Sequence, residues 1–253
     1  MIDTHSHIYD GAYSEDFQQV VDRAREAGVE ALILPDIDCS CRDAMLATAE
    51  KLGGYAYPCI GLHPTSVAEN WKEELQAVFD RFSEAPFCAL GEIGLDEYWS
   101  KDFREQQMEV FAAQLNLAYE KDLPVIIHSR DATEDIFEVL GLVNNPLRGV
   151  FHAFSGSYET DCRIKKYGDF SIGIGGVVTF KNAHIAQFLN KIPMSDILLE
   201  TDAPWLTPVP FRGRRNESSY IKYVAQKVAE LYSVSLEQVD EETTANCRKL
   251  FAI

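Results

Sequence analysis

The sequence predicts an α/β chain of the (β/α)8 barrel class, and three observations carry the prediction. Short apolar runs bounded by turn residues alternate with amphipathic helical patterns. Counting the opening residues, there are eight such runs in 253 residues, a length that suits eight parallel strands joined by helical crossovers. Most of the runs lead into a residue able to bind metal or substrate, and a barrel collects its active site at the carboxyl ends of its strands. A doubly wound open sheet is the competing architecture, but it would spread these residues along a crevice instead of ringing them round a centre.

The first run is Met1-Ile2-Asp3-Thr4, which leads into His5-Ser6-His7. In an extended strand, residues i and i+2 point to one side, so both imidazoles can reach one cation. The later runs are Ala31 to Pro35, Ala56 to Leu62, Cys88 to Ile93, Pro124 to Ile127, Gly149 to Phe151, Phe170 to Val178 and Asp196 to Leu199. They deliver His63, Glu92, His128, His152 and Asp202 at or just beyond their ends. Between them, Asp16 to Ala27 places Phe17, Val20, Val21 and Ala24 on one helical face and is closed by Gly28. Further helical stretches span Cys41 to Leu52, Trp71 to Phe82, Arg104 to Glu120, Ala132 to Leu140 and Asn182 to Lys191, the last carrying His184 as a surface residue. The final part predicts one helix through Tyr220, Val224, Val228 and Leu231 and another from about Glu241 to Leu250, with capping-box spacing at Ser235-Leu236-Glu237-Gln238 between them.

At 46% hydrophobic residues the chain can bury a large core, and residues 1–253 read as one barrel domain with no linker, internal repeat or low-complexity segment. The absence of a charged-then-apolar leader and of any long apolar run predicts a cytoplasmic protein with no membrane span. Six cysteines spread along a chain of this size read as reduced thiols. Cys39 and Cys41, without a second pair, read as incidental.

His5, His7, His128, His152, Glu92 and Asp202 are more ligands than one tetrahedral ion needs. They suit two divalent ions, with the two oxygens of Glu92 as the bridge. One ion is expected on His5, His7, Glu92 and Asp202, the other on Glu92, His128 and His152. Imidazole and carboxylate ligands favour Zn, Mn, Fe or Mg over copper(I) or an iron–sulfur cluster. Glu200, two residues before Asp202, is a reserve ligand or a supporting partner.

Six ordered segments resemble the motifs of the TatD family: Ile2-Asp3-Thr4-His5-Ser6-His7, Gly61-Leu62-His63-Pro64, Gly91-Glu92-Ile93-Gly94-Leu95-Asp96, Pro124 through Arg130, His152-Ala153-Phe154-Ser155-Gly156 and Leu199 through Pro204. Asn246-Cys247-Arg248-Lys249-Leu250-Phe251 extends the resemblance to the end of the chain. It implies a metal-dependent hydrolase barrel of the amidohydrolase superfamily with deoxyribonuclease activity, often as a 3′-to-5′ exonuclease. The family's metal ligands fall on the six residues already named, and its phosphate-contacting histidine falls on His63. The chain departs from the family pattern at Tyr9, where Asp or Asn is usual, and at Ser218, where Pro is usual.

The expected reaction is hydrolysis of a DNA phosphodiester by a metal-activated water, with Asp202 holding the nucleophile and accepting its proton, Glu92 bridging and His63 binding phosphate. Arg130 is expected to support the site, and Arg212, Arg214 and Arg215 to contact nucleic-acid phosphate near the mouth. The net charge of −17 excludes broad, nonspecific duplex binding. It leaves a small footprint on one strand end, expected to be single-stranded, weakened steeply by salt and needing no protein partner. The alternatives are hydrolysis of a small-molecule amide or ester on the same barrel and a non-enzymatic binding scaffold.

Overall fold

The computed structural model describes residues 1–253. Eight strands run in chain order: β1 (Ile2–Asp3), β2 (Ala31–Leu34), β3 (Ala56–Pro58), β4 (Leu90–Asp96), β5 (Val125–Arg130), β6 (Leu147–Phe151), β7 (Gly168–Ile174) and β8 (Ile197–Leu199). The helices are α1 (Phe17–Glu26), α2 (Cys39–Leu52), α3 (Trp71–Arg81), α4 (Arg104–Glu120), α5 (Thr133–Val143), α6 (Tyr158–Ile164), α7 (Ile221–Tyr232) and α8 (Leu236–Phe251). Every strand pairing is parallel. The regular ladders form one sheet in the order β1-β2-β3 and another in the order β4-β5-β6-β7-β8.

Backbone hydrogen bonds cross both seams between these sheets. At one, Cys88 N donates to Pro58 O, Gly91 N donates to Ile60 O, and an isolated parallel bridge joins Ile60 to Leu90. At the other, Thr4 N donates to Leu199 O, Asp202 N donates to His5 O, and a parallel bridge joins Ser6 to Ala203. The architecture is the (β/α)8 barrel that the alternating pattern predicts.

Alternation along the strands divides the core. Ala31 and Ile33 belong to a cluster with Ile2, Cys59, Ala89, Ile126, Val150 and Leu198, one or two side chains from most strands, which fills the barrel interior. Leu32 and Leu34 belong instead to the larger cluster shared with the helices, including Val20, Val21 and Ala24 of α1. Both faces of β2 are therefore buried, which is why its sequence is continuously apolar.

Several boundaries differ from the sequence expectation. Strand β3 stops at Pro58, well before Leu62, while β4 and β5 run on to Asp96 and Arg130. Where a helix is predicted over Asn182 to Lys191, two 3-10 turns stand at Ile185–Gln187 and Leu189–Lys191. Ile185, Phe188, Leu189 and Ile192 are all buried there, and Pro193 favours extended backbone at Ile192. Helix α6 was not anticipated; Ser157 caps it by accepting from Thr160 N. The Ser235 segment is itself the start of α8, with Ser235 Oγ accepting from Gln238 N, so this helix begins about one turn before Glu241. No helix is long and apolar enough to cross a membrane.

Candidate metal centre

The carboxyl ends of β1, β4, β5 and β6 and the turn after β8 converge on Glu92. The two carboxylate oxygens divide the surrounding histidines. Glu92 Oε2 lies 3.0 Å from His5 Nε2 and 3.8 Å from His7 Nε2. Asp202 Oδ1 stands 3.7 Å and 3.8 Å from the same two nitrogens. Glu92 Oε1 lies 2.7 Å from His152 Nε2, 2.8 Å from His128 Nδ1 and 3.2 Å from His63 Nε2. All six expected ligands are thus brought together, and His63 joins the His128 and His152 side of the bridge.

The donor set fits divalent cations on several physical grounds. Ring nitrogens face one another at 3.2 Å between His5 and His7 and at 3.3 Å between His128 and His152. The rings of His5 and His152 stack with centroids 3.9 Å apart. Crowding of buried imidazoles and carboxylates is costly unless a cation or shared protons hold them. His5 Nδ1, His152 Nδ1 and Glu200 Oε2 are buried without a hydrogen-bond partner. Mixed nitrogen and oxygen donors suit Zn, Mn, Fe or Mg.

Electrostatics distinguish the two carboxylates. Burial opposes ionisation of Glu92, but His152, His63 and His5 together hold its carboxyl well below the usual range. Burial pushes Asp202 up to about 8, with Glu92 and Glu200 adding to the rise against the pull of His152 and His128. Burial holds His7 well below the ordinary imidazole value. His152 moves the other way: burial lowers it, but Glu92 and Glu200 more than compensate.

Supporting contacts orient the histidines. Tyr9 Oη donates to Pro35 O and accepts from His7 Nδ1 at 2.7 Å, filling the position where the family pattern has Asp or Asn. Asp96 Oδ2 lies 2.9 Å from His128 Nε2, and Asp96 also accepts from Tyr98 N. Asp96 had no assigned role from sequence, although its period-two relation to Glu92 along β4 is the signal that puts both on one side. Glu200 Oε1 accepts from Ala153 N at 2.6 Å and stands 3.7 Å from His152 Nδ1. A Cβ at Gly173 would come within 2.1 Å of Glu200 Oε2, so glycine there leaves room for this carboxylate. Ser218, where the family pattern has Pro, places its hydroxyl 3.1 Å from Ser6 Oγ beneath the His-x-His segment.

The centre opens into a cavity of about 300 Å³ lined by His7, His63, Glu92, His128, His152 and Asp202 together with Asp96, Arg130, Trp99 and Trp205. Arg130, expected to support the site, is in this lining. Arg212, Arg214 and Arg215 are not in this lining. Arg215 pairs with Asp16 at 2.6 Å and donates to Ala12 O; Arg212 lies over Phe180; Arg214 lines a separate cleft with Arg23, Phe211 and Tyr220. Nearness in sequence to the last strand does not bring these cations to the centre. Cys39 and Cys41 sit in the first turn of α2, and all six cysteines are free thiols.

Comparison with known proteins agrees with this arrangement. The family model described as TatD related DNase matches residues 2–252. YabD of Bacillus subtilis, described as an uncharacterized metal-dependent hydrolase, is 38% identical over all of this chain and 99% of its own length. A protein of Erwinia billingiae described as a 3′-5′ ssDNA/RNA exonuclease, TatD, is 34% identical over all of this chain and 99% of its own. The crystal structure of YjjV, a TatD homologue from Escherichia coli, superposes with a TM-score of 0.90 at 32% identity, covering all of this chain and 98% of that one. With the fold, the whole-chain match and the convergent donor set in accord, this chain belongs to the TatD family of metal-dependent hydrolases.

Proposed function

We propose that this protein is a two-metal phosphodiesterase that removes nucleotides from the 3′ end of single-stranded DNA. The observation that carries the reading is the division of donors by Glu92: one oxygen faces His5, His7 and Asp202, the other faces His128, His152 and His63. Two ions held on the two sides of one carboxylate would supply charge for the phosphoryl oxygens and an activated water. His63 stands at the rim of the donor set, with Nδ1 held by Thr65 at 2.6 Å from its hydroxyl, and presents Nε2 to a phosphate oxygen. Asp202, whose Oδ1 stands 3.7 Å and 3.8 Å from His5 Nε2 and His7 Nε2, would hold the attacking water and accept its proton. Arg130 contributes a guanidinium at the cavity wall for the phosphate of the strand end.

The name carried by the Erwinia relatives supports a nucleic-acid substrate and includes RNA. A cavity of about 300 Å³ is of a size to take a strand terminus. The test is hydrolysis of a 5′-labelled single-stranded oligonucleotide by metal-stripped protein with Mg, Mn or Zn restored, beside an Asp202→Asn control. A metal-dependent ladder of shortened products that vanishes in the control is expected. Intact oligonucleotide in every metal, with two ions bound, would instead favour a small-molecule ester or amide.

A further inference from the structure

We infer that Trp99 and Trp205 form a base-stacking clamp at the mouth of the metal centre, which makes an unstacked terminal nucleobase part of what the site recognises. This deepens the phosphodiesterase reading and rests on it.

Trp99 follows β4 and Trp205 follows β8, strands half a turn apart in an eight-stranded ring, so the two indoles reach the cavity from opposite sides. Both line it, yet they are 71% and 47% exposed. Leaving such large apolar surfaces in water forgoes the stabilisation that burial would give, and their position beside the metal ligands gives the exposure a use. Trp205 packs edge-on against His7, with centroids 5.1 Å apart. Beside Trp99, Tyr98 is 53% exposed, and Arg130 lies 3.8 Å from the Tyr98 centroid and 5.3 Å from that of Trp99. The guanidinium is thus held by aromatic faces, which leaves its donors free for phosphate.

An aromatic face next to a single cation, at the edge of a metal centre, matches the base-then-phosphate order of a nucleotide. Stacking is sequence-tolerant because every base has a π-face. It also resolves how a chain of net charge −17 can hold a polyanion: affinity from stacking needs no cationic surface. The clamp predicts a shallower salt dependence than the sequence alone suggests. With Arg130 the only Lys or Arg in the cavity lining, the logarithmic salt slope should be shallow, at about −0.7 for each phosphate neutralised on a single strand.

The experiment compares two single-stranded oligonucleotides that differ only in the 3′-terminal residue, one normal and one abasic, across wild type, Trp99→Ala, Trp205→Ala and the corresponding Phe variants. Expected are a roughly tenfold or greater rise in KM for the normal oligonucleotide in each Ala variant, little change for the abasic one, substantial recovery with Phe, and unaltered metal content. Equal losses on both oligonucleotides, or a wild type that does not distinguish them, would overturn the clamp. Tryptophan quenching on binding, measured in Asp202→Asn, reads the clamp without cleavage: quenching by the normal but not the abasic oligonucleotide supports it, and no quenching overturns it. Failure of the phosphodiesterase reading is distinct, because wild type would then cut neither oligonucleotide in any metal.

Discussion

Tyr9 fixes the tautomer of His7. Its hydroxyl spends its proton on Pro35 O and accepts from His7 Nδ1, so the His7 proton sits on Nδ1 and the Nε2 lone pair is left facing Glu92 and Asp202. Tyrosine makes this bond at a position where the family pattern has Asp or Asn. Tyr9→Phe is expected to weaken metal affinity about 10–100-fold without loss of helical content, and Tyr9→Asn to recover part of it. Competition with a chromophoric chelator measures this; unchanged affinity in Tyr9→Phe would show that the bond is dispensable.

Because one carboxylate serves both groups of histidines, Glu92→Ala should abolish hydrolysis while the circular-dichroism spectrum stays that of the wild type. Metal analysis of the purified variant should show both ions reduced together. Loss of one ion with the other at full stoichiometry would contradict a shared bridge.

Removing metal should also lower thermal stability. A ligand present at about 100 times its Kd adds about 2.7 kcal/mol to the folded state, which for a chain of this size corresponds to a Tm shift of roughly 5–10 °C. Calorimetry before and after chelation, then after adding back Mn or Zn, reads the difference. An identical Tm in all three states would separate the histidine cluster from metal binding.

The fully buried Asp36 and Arg42 pair at 2.6 Å, and Arg42 also donates to Gly61 O. Arg42→Ala leaves the Asp36 carboxylate unpaired and should cost about 3–5 kcal/mol in urea unfolding. Burial pushes Asp36 up to about 6, with Arg42 acting in the opposite sense. A folded-state value above the unfolded one means the native state binds the extra proton, so this contribution is complete below the ordinary carboxylate value and is lost as pH rises through about 6. The double variant Asp36→Asn/Arg42→Met should therefore show a flatter stability profile than wild type between pH 4 and 6; an unchanged slope would assign the pH dependence to other groups.

Much of the architecture was legible because the relevant signals are local. The period-two division of Ala31 to Leu34 and the helical spacing of Val20, Val21 and Ala24 survive directly into the two cores. The six candidate ligands were legible because each ends or follows an apolar run. What escaped were relationships set by packing at long range. The chain after Thr179 flattens into 3-10 turns because its apolar residues meet the barrel at that pitch, and Arg215 is claimed by Asp16, about 200 residues away in sequence. Trp99 and Trp205 carry no periodic signal at all, since loop residues have no period; only their common cavity marks them.

The seam between β8 and β1 has a temporal meaning. His5 and His7 stand on one side of it and Asp202 on the other, joined by Asp202 N donating to His5 O. During synthesis the two histidines emerge almost two hundred residues ahead of the aspartate, and a growing chain lacks one of the six candidate ligands until Asp202 follows the eighth strand. Closure of the ring at this seam is also what completes the donor set, so a nascent or truncated chain has no assembled centre.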